Sequence, residues 1–457
     1  MRKINSRSFM ILLMTLAFFA GLTYHTVNLV LHASQWVAEP TNSHLTDVDG
    51  LEFAGKIFDR NGVVLAQSID KQRVYNEDEE IRKACVHIVG DNSVNIATAV
   101  QTVYRSDLTK YNFTFGLGLP DQLKRGNNMT LTIDTRLQKA AFRALGDYKG
   151  AMFFYNYKTG EILCMVSTPA YDPQDVPEDI ETNDKYDGAY LNRALSASYP
   201  PGSTFKLVTA SASLKEIPGI ENSTYDCHGS DIVGGDEVTC YEPNGIVDIK
   251  EALAQSCNVF FAKLAVALGK DKMTDYAEKM GFNSRLKFDG ITTASSLYDV
   301  SDANENELAW SGVGQYTVLE TPVNMAMISA AIANGGTPVM PYFISTIDGK
   351  LKNQTTLGDQ MMDREIADKL YDMMDYTVSS NYGKSYVCDK LDVCAKTGTA
   401  EVNSEGLAHA WVTGFCKDED CPIAFAAIVE YGNYAYTVAI PMVKQVLDTA
   451  ADIYKKT

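Results

Sequence analysis

Residues 9–31 are almost continuously apolar, a run long enough to cross about 30 Å of hydrocarbon, with Thr23, His25 and Asn28 making its second half the more polar. Beyond it the pattern changes to short apolar stretches separated by turn residues. Two of these flank Asn61-Gly62, which predicts a tight hairpin over 55–66. Residues 130–133 predict a strand, followed by a helix to about 145 that Asp134 or Thr135 caps. Residues 151–155 and 161–167 read as two apolar strands joined by the turn 156–160. Helical segments dominate the middle of the chain; Thr321-Pro322 opens one that Asn334-Gly335-Gly336 stops. Residues 391–401, 409–416 and 423–431 then predict three successive antiparallel strands, and 438–454 a closing helix. Strands at both ends of this unit with helices between imply an α+β fold. Its antiparallel sheet is completed by distant parts of the chain and covered by helices.

Charge and composition narrow the partners. The 457 residues carry a formal net charge of −18, so no basic excess remains to neutralise phosphates and nucleic acid is excluded as a partner class. Arg2, Lys3 and Arg7 precede the apolar run and no comparable cluster follows immediately. The positive-inside rule therefore puts residues 1–8 in the cytoplasm and everything after 31 outside the cytoplasmic membrane. A cleaved signal peptide needs a shorter apolar region ending in small residues, which His32-Ala33-Ser34 fits poorly; the run is read as an uncleaved single-pass anchor.

Nine cysteines in an extracytoplasmic chain make disulfides the expectation, with at least one thiol left over. Cys227 and Cys240, which bracket a loop with Gly229, Gly234 and Gly235, are the first pair expected. Cys388, Cys394, Cys416 and Cys421 form a second set with three possible pairings. Cys85, Cys164 and Cys257 read as buried thiols. No Cys/His grouping has the spacing of a zinc site, so neither a metal nor a cofactor is expected.

The chemistry-bearing stretch begins at Tyr199-Pro200-Pro201-Gly202-Ser203-Thr204-Phe205-Lys206. Two prolines and a glycine fix the entry of a helix, with Ser203 at its N-terminus, where unpaired N–H groups favour negative charge. Lys206 lies one turn on, and a buried lysine with a lowered pKa is a base for a serine nucleophile. Ser-x-x-Lys recurs at Ser68/Lys71 and Ser284/Lys287, where ordinary polar surface explains it. Next, Ser256-Cys257-Asn258 places two polar side chains so that both reach one cleft from a turn: a hydroxyl to relay a proton and an amide to hold a carbonyl or the lysine. Last, Lys396-Thr397-Gly398-Thr399 lies on a predicted strand where the glycine admits a second backbone. There the lysine and threonines offer charge and hydroxyls to an anionic substrate end, and a backbone N–H serves an oxyanion. Lys158-Thr159-Gly160 repeats the tripeptide, but a hairpin turn accounts for it.

Ser-x-x-Lys, Ser-x-Asn and Lys-Thr-Gly in this order form the signature of penicillin-binding proteins and class A β-lactamases. The chain resembles a penicillin-binding protein well beyond these motifs: in Thr159-Gly160-Glu161, Ser167-Thr168-Pro169-Ala170-Tyr171-Asp172-Pro173, Asn192-Arg193-Ala194, Gly314-Gln315 and Ala333-Asn334-Gly335-Gly336, and in Asp59-Arg60-Asn61-Gly62 of a membrane-proximal pedestal. Cys257 stands where class A β-lactamases have Asp, and no Glu-x-x-Leu-Asn stretch is present to activate a deacylating water.

The resemblance implies a penicillin-binding/β-lactamase-like transpeptidase domain over 129–457, a reduced pedestal over 32–128 and an anchor over 9–31. With no room for a glycosyltransferase domain between anchor and catalytic unit, it points to the monofunctional class B type. It implies a peptidoglycan D,D-transpeptidase in which Lys206 deprotonates Ser203, and the acyl-enzyme so formed is trapped by β-lactams. Ser256 and Asn258 then assist proton transfer and hold the stem peptide, Lys396, Thr397 and Thr399 receive its carboxylate, and a SEDS-family glycan polymerase is the membrane partner. A D,D-carboxypeptidase, and a non-catalytic β-lactam-binding scaffold or sensor, are the alternatives.

Overall fold

The computed structural model describes residues 2–38, 51–109, 126–402 and 407–455. Helix α1 (Arg2–Ala38) contains a stretch, Ser6–Asn28, that is long and apolar enough to cross a membrane and is not buried against the rest of the protein. Helix α2 (Thr135–Leu145) starts where predicted, because the Asp134 carboxylate accepts the N–H of Arg136. Strands β1 (Gly150–Asn156) and β2 (Ile162–Thr168) form the predicted hairpin, with the second Lys-Thr-Gly in its turn. Helices α3 (Lys206–Glu216), α4 (Ile249–Ala254), α5 (Asn258–Lys279) and α6 (Pro322–Ala333) follow. Strands β3 (Val393–Glu401), β4 (Ala408–Cys416), β5 (Ile423–Val429) and helix α7 (Ala439–Tyr454) close the chain.

The five strands make one antiparallel sheet in the order β3-β4-β5-β1-β2, so the end of the chain inserts its strands beside the first hairpin. Side chains alternate across a sheet with period two, and here both faces are covered. Phe153, Tyr155, Trp411 and Phe415 enter one core with α3, α5 and α6. Met152, Phe154, Val412 and Phe425 enter the other with α2 and α7. This is why these strands read as nearly unbroken apolar runs. Each fully buried large side chain contributes about 1.5–3 kcal/mol, and Phe154 stacks on Phe425 across the antiparallel β1–β5 pair at 5.5 Å.

A second sheet is assembled from three distant segments. Its order is Lys350–Leu351, Ile344–Ile347, Met129–Leu131, Ile57–Phe58, Val64–Ile69, Gln72–Tyr75. Ile57 pairs in parallel with Met129, so the expected boundary between pedestal and catalytic unit at 128/129 runs through this sheet. Of the 32–128 segment, residues 39–50 and 110–125 lie outside the described residues. The middle of the chain, expected to be helical, also holds a β-rich insert. Tyr225–Cys227 pairs with Gly245–Val247, and the hairpin Ser230–Val233/Asp236–Thr239 lies between them. Gly234 and Gly235 turn that hairpin at φ +66° and +95°.

The cysteines depart from expectation. The sulfurs of Cys227 and Cys240 lie 3.8 Å apart, against about 2.05 Å for a bond, so this pair is not a disulfide. All nine cysteines, the second set included, are free thiols.

Candidate functional site

Ser203 sits in the one-turn 3₁₀ helix Gly202–Phe205, and Lys206 begins α3. Residues three apart eclipse in a 3₁₀ turn, which brings the two side chains onto one side. Three contacts fix the turn. Gly202, at φ +54°, donates its N–H to the Gly314 carbonyl at 3.0 Å. The Trp411 indole donates to the Pro200 carbonyl at 2.9 Å. The Thr204 hydroxyl donates to the Pro201 carbonyl at 2.9 Å.

Ser256 and Asn258 flank the junction of α4 and α5, and Ser256 holds φ +58°, a strained value for a residue with a Cβ. That bend turns its carbonyl and hydroxyl toward Lys206. The Lys206 ammonium nitrogen lies 2.6 Å from the Ser256 carbonyl, 3.1 Å from its Oγ and 2.7 Å from Asn258 Oδ1. Lys396 Nζ reaches the same Ser256 Oγ at 3.1 Å and donates to the Thr397 carbonyl at 2.9 Å. One hydroxyl thus bridges two amines. Both lysine side chains are wholly buried. Burial lowers Lys206 to about 7, with the nearby Cys257 and Cys240 thiols pulling weakly the other way. Burial, and then the charge of Lys206, push Lys396 well below the ordinary lysine range.

Strand β3 forms the sheet edge that faces the Ser203 turn. Its alternation turns Thr397, Thr399 and Glu401 into a pocket of about 770 Å³ that Ser203, Ser256 and Asn258 also line. Of the eight residues expected at the site, Ser203, Ser256, Asn258, Thr397 and Thr399 line this pocket, and Lys206, Gly398 and Lys396 lie behind its lining. The Lys396 amine, expected to receive a carboxylate, is buried like that of Lys206 and bonded to the same Ser256 hydroxyl. Among the pocket residues that sequence reasoning did not single out are Trp310, Tyr241 and Tyr434. It also passed over Tyr382, at the end of the π-helical turn Val378–Tyr382, whose hydroxyl meets Thr397 Oγ1 at 2.7 Å and accepts the Thr397 N–H at 3.0 Å. Nothing local in the sequence marks that turn.

Gly398 is required by close approach rather than by φ: a Cβ there would overlap the Pro201 carbonyl oxygen. Gly398→Ala is therefore expected to push β3 from the turn that carries Ser203. It should slow Ser203 acylation at least about tenfold, since misplacements on the order of 1 Å cost up to about 100-fold. Labelling kinetics with a fluorescent penicillin read this; an unchanged rate in a folded Gly398→Ala chain would contradict the packing argument.

Comparison with known proteins bears on this arrangement. Residues 150–448 match the family model of the penicillin binding protein transpeptidase domain. The peptidoglycan D,D-transpeptidase PbpA of Mycolicibacterium smegmatis is 30% identical over 340 residues, covering 68% of this chain and 68% of that protein. The peptidoglycan D,D-transpeptidase MrdA of Acinetobacter baumannii is 28% identical, covering 71% of this chain and 54% of that protein. Among solved structures, penicillin-binding protein A from M. tuberculosis as its ceftriaxone acyl-enzyme superposes with a TM-score of 0.78 at 26% identity, covering 88% of this chain and 99% of that one.

Proposed function

Since this chain belongs to the penicillin-binding protein transpeptidase family, in its monofunctional class B group, we propose that Ser203 performs peptidoglycan D,D-transpeptidation with Lys206 as its base. The observation that carries this reading is the convergence of two buried lysines on Ser256 Oγ at the floor of a pocket opening on Ser203. A neutral Lys206 accepts the Ser203 hydroxyl proton as Oγ attacks the carbonyl of the penultimate D-Ala of a stem peptide. Backbone N–H groups of Ser203 and Thr399 hold the oxyanion. The terminal D-Ala leaves with a proton relayed through Ser256, and the amine of a second stem peptide resolves the ester. Asn258 fixes Lys206 and holds the donor peptide, while Thr397, Gly398 and Thr399 receive its main chain and carboxylate. Lys396 acts from behind the wall by holding Ser256, and β-lactams stop the cycle at the Ser203 ester.

Helix α1 is consistent with a single-pass membrane anchor. Arg2, Lys3 and Arg7 favour its N-terminus inside, with the catalytic domain outside the cytoplasmic membrane. The chain then divides into a cytoplasmic tail (1–8), anchor (9–31), reduced pedestal (32–128) and transpeptidase domain (129–457). A cross-linking enzyme needs newly made glycan strands, and a membrane-embedded polymerase of the SEDS family is the partner that suits this arrangement.

The test is product analysis. The full chain in detergent, given nascent glycan strands with intact stem peptides, should yield cross-linked dimers together with released D-Ala. Released D-Ala without dimers would make it a carboxypeptidase. Neither product, in a chain still acylated by penicillin, would leave a drug-binding scaffold.

A further inference from the structure

Three thiols from three separate elements meet beside the active site. Cys227 ends the strand Tyr225–Cys227, Cys240 follows the hairpin strand Asp236–Thr239, and Cys257 lies between Ser256 and Asn258 at the start of α5. Their sulfurs lie within 4.8 Å of one another, at 3.8 Å for Cys227–Cys240 and 3.7 Å for Cys240–Cys257. A tetrahedral ion with metal–sulfur bonds of about 2.3 Å holds its sulfurs about 3.8 Å apart. A sulfur and an oxygen bound at about 2.1 Å to the same ion lie about 3.6 Å apart. Asn244 Oδ1 is 3.6 Å from the Cys227 sulfur.

The surroundings of Cys240 favour its thiolate. Cys240 Sγ accepts the N–H groups of Asn258 at 3.2 Å and Val259 at 3.5 Å, the unpaired donors at the N-terminus of α5. The insert also needs a fastening. Of residues 225–247, Cys227, Val233, Val238 and Val247 are buried and the others are partly or fully exposed, too little apolar surface to hold it by packing.

We propose that Cys227, Cys240 and Cys257 bind one divalent ion of the zinc class, with an oxygen, from Asn244 or from water, as fourth ligand. The ion fastens the 225–247 insert to the turn that presents Ser256 and Asn258 to Lys206. The Thr239 carbonyl, next to Cys240, already accepts the Asn258 amide at 2.8 Å. The bound ion acts by position, taking no part in the acyl transfer. Sequence spacing concealed the site because its ligands are spread over two hairpins and a helix start rather than a short paired motif.

The test uses the full chain purified in detergent with its thiols reduced. It should hold one zinc ion per chain by elemental analysis. Cobalt(II) put in its place should give thiolate charge-transfer absorption and the visible bands of tetrahedral coordination. Cys227→Ser and Cys240→Ser should each weaken zinc binding at least tenfold, while Cys85→Ala leaves it unchanged. Should a serine variant fail to fold, stripping the wild-type chain with a chelator and restoring zinc reads the same site through a reversible shift in melting temperature. Stripping should also slow penicillin acylation about tenfold, the scale on which ligand-positioning groups act. That last readout rests on the transpeptidase reading, whereas metal content and cobalt spectra do not. A reduced wild-type chain that takes up no zinc would overturn the assignment. So would uptake undiminished in both serine variants, or a disulfide within the cluster that persists in the presence of zinc.

Discussion

Ser203→Ala yields a folded protein that forms no covalent adduct with penicillin, where the wild-type chain gains the mass of one drug molecule. The side chain lies at the mouth of a pocket, and the turn that carries it is fixed by Gly202, Pro200 and Thr204 rather than by its own hydroxyl. Removing one oxygen there should change stability by about 0.5 kcal/mol or less. It removes the only atom proposed to accept the acyl group, so acylation should fall on the order of 10⁶-fold, the scale seen when a serine nucleophile is deleted. Lys206, Ser256 and Lys396 keep their mutual hydrogen bonds, so weak reversible binding of the drug should survive. Intact-mass measurement decides. An adduct of full stoichiometry on the Ser203→Ala chain would move the nucleophile elsewhere, with Ser256 the next residue to test.

Lys206→Met slows acylation by about 10²–10⁴-fold, the contribution of a positioned general base, and flattens its pH profile. In the wild-type chain burial holds this amine at about 7 instead of the ordinary 10.5. Only the neutral amine accepts a proton. Acylation should therefore rise about tenfold per pH unit below that value and level off above it. Stopped-flow labelling with a fluorescent penicillin from about pH 5 to about pH 9 reads the profile. A rate still climbing at the upper end would mean a base with an ordinary lysine pKa.

The same burial shapes stability. Between about 7 and 10.5 the unfolded chain holds a proton on Lys206 that the folded chain lacks. Stability therefore increases with pH across this window, and the gain is lost as pH falls through about 7. Lys396 shifts in the same direction. Lys206→Met has a similar shape and no proton to lose, so it should reduce that slope without abolishing it.

Much of this was legible along the chain. Capping at Asp134 and Thr321, the turn at Asn61-Gly62 and the apolar strands after 150 and 391 act over a few residues, and the structure has each near its predicted place. The three motifs were equally visible, since Ser203 and Lys206 share one turn and Ser256 and Asn258 one bend. The β-rich insert at 225–247 was missed because its short strands are mostly exposed and carry little apolar alternation. The disulfide expectation failed because spacing in the chain says nothing of how far apart two sulfurs come to rest.

The sequence alone settled the membrane-length helix, the alternation of helices and strands, the turn that leads from Ser203 into Lys206 and the family, because each depends on neighbours within a turn or two or on motif order. Tertiary structure decided what those residues do to one another. Lys206 meets Ser256 across 50 residues of chain, and Lys396 meets it across 140. The lowered pKa of both lysines comes from water excluded by the assembled core. Lys396 therefore lies behind the pocket wall rather than in it, and Tyr382 reaches Thr397. Cys257, a lone buried thiol in the sequence, becomes one of three. Burial and distance between remote segments are properties of the packed chain, and no local pattern encodes them.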